Sequence, residues 1–142
     1  MNLDDNVIRN TESNPFEYLV NLESISLANN RIAILTKDFF KSTKNLKTLN
    51  LANNSLSSID AHILEHLEKL EELNLSHNFL TKLTAEFIEA TSCVLTMRLE
   101  NNKIYAIDNA FDKVDYKLRK FYLAYNEFTV ITSAMFEKII NL

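Results

Sequence analysis

Residues 46–56 read LKTLNLANNSL, and residues 70–80 read LEELNLSHNFL, the same phrase 24 residues further on. Both set apolar side chains at the first, fourth, sixth and eleventh places and an asparagine at the ninth. Outward from these two stretches the pattern holds in both directions. With Leu22 as position 1, that position recurs as Leu46, Leu70, Val94, Leu118 and Leu142. Position 4 holds Ile25, Leu49, Leu73, Met97 and Phe121, and position 6 holds Leu27, Leu51, Leu75, Leu99 and Leu123. Position 11 holds Ile32, Leu56, Leu80, Ile104 and Phe128; position 14 holds Leu35, Ile59, Leu83, Ile107 and Ile131. The asparagines are Asn30, Asn54, Asn78, Asn102 and Asn126, and counting backwards adds Asn6. A period that never slips marks a repeat architecture, in which one unit cannot bury its apolar face alone and stacks on its neighbours.

LESISLANNRI, LKTLNLANNSL, LEELNLSHNFL and LRKFYLAYNEF match LxxLxLxxNxL and resemble the leucine-rich repeat family. VLTMRLENNKI fits with Val94 and Met97 as apolar substitutes. The repeat length and tails are similar to the "typical" animal extracellular subclass, as in segments of Toll-like, chaoptin-like or insect secreted leucine-rich repeat proteins. That subclass often has a proline after the last consensus leucine. Here Thr36, Asp60, Thr84, Asp108 and Thr132 replace it, and we read them as N-caps of short helical turns. The resemblance implies an α/β solenoid: a curved array with short parallel strands on the concave face and helical turns or loops on the convex face.

In such a solenoid the xLxLx stretches are strands with leucines inward and x residues outward. The Asn column stands where the chain turns off the strand, and its amides can satisfy backbone groups there. Phe39/Phe40, Ile63/Leu64, Phe87/Ile88, Phe111 and Met135/Phe136 are expected to close the core from the convex side. Asp112 and Asp115 stand where apolar residues are usual, so the convex part of that repeat is expected to be irregular.

The 142 residues make one array: a partial repeat at 1–21, repeats at 22–45, 46–69, 70–93, 94–117 and 118–141, and the first residue of another at 142. Neither end carries a polar cap, which such arrays need. The expectation is therefore a segment of a longer protein; the alternative is a complete small protein with improvised caps. Either way, Leu3 and Leu142 should leave apolar surface exposed, and the uncapped ends should favour self-association.

Composition excludes several classes. Net charge is −4 and the pI about 5.4, so no electrostatic footprint for nucleic acid is visible and none is expected as a partner. No apolar stretch has the length of a membrane span, so insertion by this segment is not expected. The opening MNLDDNVIRN lacks the basic start and apolar middle of a signal peptide. Glycine is absent and Pro15 is the one proline, which rules out Gly-dependent phosphate loops and leaves turns to Asn, Asp, Ser and Thr. Cys93 is the only cysteine, so it makes no internal disulfide; it is read as a small buried hydrophobe. No cofactor or metal is expected.

His62-Ile63-Leu64-Glu65-His66 spells H-x-x-E-H, an arrangement used by zinc peptidases. Ile63 and Leu64 occupy core columns, however, which turns the histidines to solvent on the convex side. Asn53-Asn54-Ser55 and Asn74-Leu75-Ser76 are glycosylation sequons of a kind that chance supplies. A glycan on Asn74 would obstruct the strand face.

The outward residues of that face are the candidate partner-binding set: Glu72, Asn74, His77, Arg98, Glu100, Lys120, Tyr122 and Tyr125. The first two repeats present small neutral groups there, whereas the last two present Arg, Lys and Tyr; Tyr and Arg are enriched among residues that dominate interfaces. The leading functional expectation is a non-enzymatic protein-recognition module, by resemblance part of an extracellular adhesion or innate-immune protein or receptor ectodomain. The alternatives are an intracellular scaffold and, third, a metallopeptidase built on His62–His66.

Overall fold

The computed structural model describes residues 1–9, 11–108 and 116–136. Among these residues there are seven short strands: β1 Ser24–Ser26, β2 Thr48–Asn50, β3 Glu72–Asn74, β4 Lys82–Leu83, β5 Thr96–Arg98, β6 Ala106–Ile107 and β7 Lys120–Tyr122. β1, β2, β3, β5 and β7 form one parallel sheet in that order. Its register advances by one repeat at every step: Ile25 lies beside Leu49, then Leu73, Met97 and Phe121. A bridge between Asn2 and Ser26 carries the same pattern one coil further. β4 and β6 pair in parallel as a second, two-stranded sheet beyond the Asn turn. The chain is thus a solenoid in which every coil hydrogen-bonds to the coil before and after it.

The core lies between the sheet and the convex segments. Leu49, Leu51, Leu73, Leu75 and Leu99 are buried, because alternate strand residues point inward. Phe39, Phe40, Ile63, Leu64, Phe87 and Ile88 close it from the convex side as expected. Phe16 joins Phe39 and Phe40, edge-on to the first at 5.2 Å and stacked with the second at 6.1 Å. Phe111, Asp112, Asp115 and Leu142, named above, lie outside the described residues. Leu3 is half-buried against the core.

Ile131 corrects one core assignment. The position-14 residues Leu35, Leu83 and Ile107 are buried, but Ile131 is 75% exposed. No further coil among the described residues lies over it, so its side chain has nothing to pack on. Thr11 occupies the same column without loss: its hydroxyl donates to the Ile34 carbonyl and accepts from the Thr36 N–H. Thr43 and Thr91 are buried for the same reason, each hydroxyl donating to a carbonyl of the preceding turn.

Among the described residues, the helical pieces of the convex side are a 3₁₀ turn at Ala61–Ile63, helix α1 at Ala85–Ala90 and a 3₁₀ turn at Ser133–Met135. Asp60 and Thr84 cap the first two, accepting from the His62 and Phe87 N–H groups. Thr132 stands at the N-cap of the third. Thr36 makes no cap bond among the described residues, and the segment that Asp108 would cap lies outside them. The Thr36 hydroxyl donates to the Glu12 carbonyl, and Asp108 binds the Lys82 ammonium at 2.9 Å.

The asparagine column stitches the coils together. The Asn78 amide oxygen accepts the Leu56 N–H of the preceding coil at 3.0 Å. Its amide nitrogen donates to Leu51 O of that coil and to Leu75 O and Ser76 O of its own. Asn30, Asn54, Asn102 and Asn126 repeat the arrangement. Asn6 is exposed, and among the described residues its amide bonds to Leu3 O and Asp4 O of its own coil.

Candidate functional site

Strand alternation sends positions 3 and 5 of each repeat out of the sheet, and the register stacks equivalents about 5 Å apart. Glu72, Asn74, Arg98, Lys120 and Tyr122 therefore share one face, with Asn74 beside Arg98, Arg98 beside Tyr122, and Thr96 beside Lys120. Strands cover only positions 3 to 5, so Glu100, His77 and Tyr125 sit in the turns that follow, along the rim. All eight candidate residues fall on this face or its rim.

The N-terminal part of the face is occupied by its own hydrogen bonds. The Asn50 amide donates to the Ser26 hydroxyl, and the Asn74 amide oxygen accepts from both the N–H and the hydroxyl of Ser76. A shallow cleft of about 150 Å³ lies over β2, β3 and β5 between Glu72 and Arg98. At its C-terminal side, the Arg98 guanidinium stacks over the Tyr122 ring, 4.3 Å from the centroid. The same guanidinium donates to a Glu100 carboxylate oxygen at 3.3 Å. The other Glu100 oxygen is buried without a partner among the described residues. Arg98 is thus held by two neighbours, and its orientation is set before any partner arrives.

The rim has an order that sequence reasoning missed. Asp5, Asn29, Asn53, His77, Asn101 and Tyr125 all adopt φ between 51° and 58°, the left-handed region, because position 8 is where the chain leaves the strand. Asn, Asp and His tolerate that conformation. Their side chains also form a surface ladder: Asn29 donates to Asp5, Asn53 donates to Asn29, and Asn101 meets the His77 ring at 3.4 Å. Tyr125 is the exception, an aromatic residue at φ 57° with 81% of its surface exposed. The run of small polar residues at position 8 was the available signal.

Elsewhere the chemistry-bearing residues are dispersed. The His62 ring binds its own cap, Asp60, at 2.7 Å, and this bond holds the Asp60 carboxyl below its usual pKa. His66 lies 3.6 Å from Glu65. Among the described residues no three His, Cys, Asp or Glu side chains converge as metal ligands. Cys93 is half-buried rather than buried, its thiol donating to Leu67 O; burial raises its pKa. No helix of the described residues is long and apolar enough to cross a membrane.

A family profile described as leucine rich repeat matches residues 20–80, and the coil-by-coil register extends the same unit on both sides of that stretch. Residues 20–80 thus carry leucine-rich repeats, and the fold is that of a leucine-rich repeat solenoid. Among solved structures, this leucine-rich repeat array is similar to Toll-like receptor 13 in complex with ssRNA13, with a TM-score of 0.91 and 26% identity. That match covers 99% of this chain and 20% of the receptor chain. The structure of the Toll–Spätzle complex of Drosophila is similar in fold, with a TM-score of 0.76 and 23% identity over 95% of this chain and 19% of that one. The leucine-rich repeats here thus span about a fifth of the length of either neighbour. No curated protein matches the chain by sequence. With an RNA complex among the similar structures, net charge alone does not exclude nucleic acid as a partner.

Proposed function

We propose that this leucine-rich repeat array is a non-enzymatic protein-recognition module that binds its partner across the concave sheet. We place it in the "typical" extracellular subclass, in an innate-immune or adhesion protein. The observation that carries the reading is the Arg98–Tyr122 stack on an open parallel sheet. An oriented guanidinium on an aromatic ring lowers the ordering cost of binding, and Arg and Tyr recur as interface anchors. The likeness to Toll-like receptor 13 and Toll supports the innate-immune setting.

The test is to pan a displayed peptide library against the chain and map the selected binders by hydrogen exchange. Protection should fall on β1, β2, β3, β5 and β7 and their following turns. Protection confined to the convex segments would sink the reading. A single-stranded nucleic acid is the second reading, favoured by the ssRNA bound to Toll-like receptor 13.

A further inference from the structure

Charge and strain coincide at one corner of the concave face. Lys120 on β7 lies diagonally across from Arg98 on β5, given that Thr96 pairs with Lys120 and Arg98 with Tyr122. Lys117 and Arg119 are exposed at the foot of β7. Glu100 compensates Arg98, but Lys117, Arg119 and Lys120 make no ion pair among the described residues. Lys120 is thus an uncompensated cation diagonal to Arg98 on the outward face, in a chain whose net charge is −4. Tyr122 lies under Arg98, and Tyr125 projects from the rim in its left-handed conformation. A folded chain gains nothing from an exposed aromatic residue there. Asn at the same place, as in Asn29, Asn53 and Asn101, relieves the strain and extends the side-chain ladder.

We infer that this corner, formed by Arg98, Lys120, Tyr122 and Tyr125, receives an acidic segment of a protein partner. The inference rests on the protein-recognition reading above and names the partner's chemistry. Arg98 has one terminal nitrogen engaged by Glu100, while its remaining N–H groups have no partner among the described residues. A planar fork fixed in this way suits a carboxylate. Lys120 supplies a point charge diagonally across from it. Glu72 and Glu100 stand on the same face and disfavour a continuous phosphate backbone, which brings a charge with every nucleotide. The discrete carboxylates of a peptide can be spaced between them.

The experiment measures fluorescence anisotropy of labelled oligoglutamate, oligolysine and oligouridylate against the chain and two variants. Oligoglutamate should bind best, with affinity falling as salt rises. The double variant Arg98→Glu, Lys120→Glu should lose about tenfold or more of that affinity. Tyr125→Asn should weaken binding while raising the melting temperature, which separates a contact role from a folding defect. Equal oligoglutamate binding by the parent chain and the double variant overturns the inference, as does no binding at all. Tighter binding of oligouridylate overturns it in favour of nucleic acid, and unchanged binding by Tyr125→Asn removes that residue from the corner. If library-selected peptides still protect the concave sheet, such a failure leaves the recognition reading standing; no protection there fells both.

Discussion

Asn78 makes four hydrogen bonds, every one to backbone, from a side chain that is buried between two coils. Truncating it to alanine leaves the Leu56 N–H and the Leu51 and Leu75 carbonyls without their side-chain partner in a water-free place. Each unsatisfied buried group costs about 1–3 kcal/mol, so Asn78→Ala should lower stability by about 3 kcal/mol in urea unfolding. Asn6→Ala, exposed and bonded within its own coil, should cost under about 1 kcal/mol. Equal losses would mean that the ladder does not join coils. This column was legible because one residue type recurs at one spacing. The left-handed column one place earlier was hidden, since Asp5, the asparagines, His77 and Tyr125 share a backbone requirement but no side chain. A reader of letters sees identity more easily than a shared φ.

At the scale of the element, Thr36, Asp60 and Thr84 hold the same place after position 14, yet among the described bonds Asp60 and Thr84 cap and Thr36 does not. Thr84 precedes Ala85–Ala90, whose first turn offers the Phe87 N–H. Thr84→Ala should therefore cost about 1 kcal/mol, read from thermal or chemical unfolding. A cost near zero would show that packing of Phe87 and Ile88 alone holds α1. Asp60 caps a single 3₁₀ turn and binds His62 as well, and its pKa is lowered from 3.8, first by the side-chain bond to His62. A lowered folded pKa stabilises above the unfolded value, and the contribution is lost as pH falls through the folded value. The stability difference between the chain and Asp60→Asn should thus be present at neutral pH and vanish below the ordinary carboxylate range. Asp60 is exposed, so the difference is small. A difference that persists at low pH would mean the carboxylate charge is irrelevant. Sequence spacing located these caps, but it could not say that Thr36 reaches Glu12 or that Asp108 pairs with Lys82; those partners come from the neighbouring coil.

For the whole molecule, each coil touches only its neighbours, so stability is a chain of local terms and not one shared core. Position within the array then matters as much as residue type. Leu73 is enclosed by coils on both sides, and Leu73→Ala should cost about 2–5 kcal/mol. Ile131 belongs to an apolar column by sequence but is exposed, and Ile131→Ala should change stability by less than about 0.5 kcal/mol. The same logic sets a gradient of local opening. In the central coils the position-4 and position-6 residues are fully enclosed, whereas Phe121 and Leu123 of the β7 coil are half-buried. Amide exchange should be slowest in β2, β3 and β5 and faster by at least about tenfold in β7, with opening that does not involve the centre. Leu73→Ala should accelerate exchange in β2 and β5 together, because it removes packing that both share, while leaving β7 near its original rate. Uniform exchange across the five strands would mean that the array opens as a single cooperative unit. The corner of Arg98, Lys120, Tyr122 and Tyr125 would then be anchored by the whole solenoid, and not by the least protected of its coils.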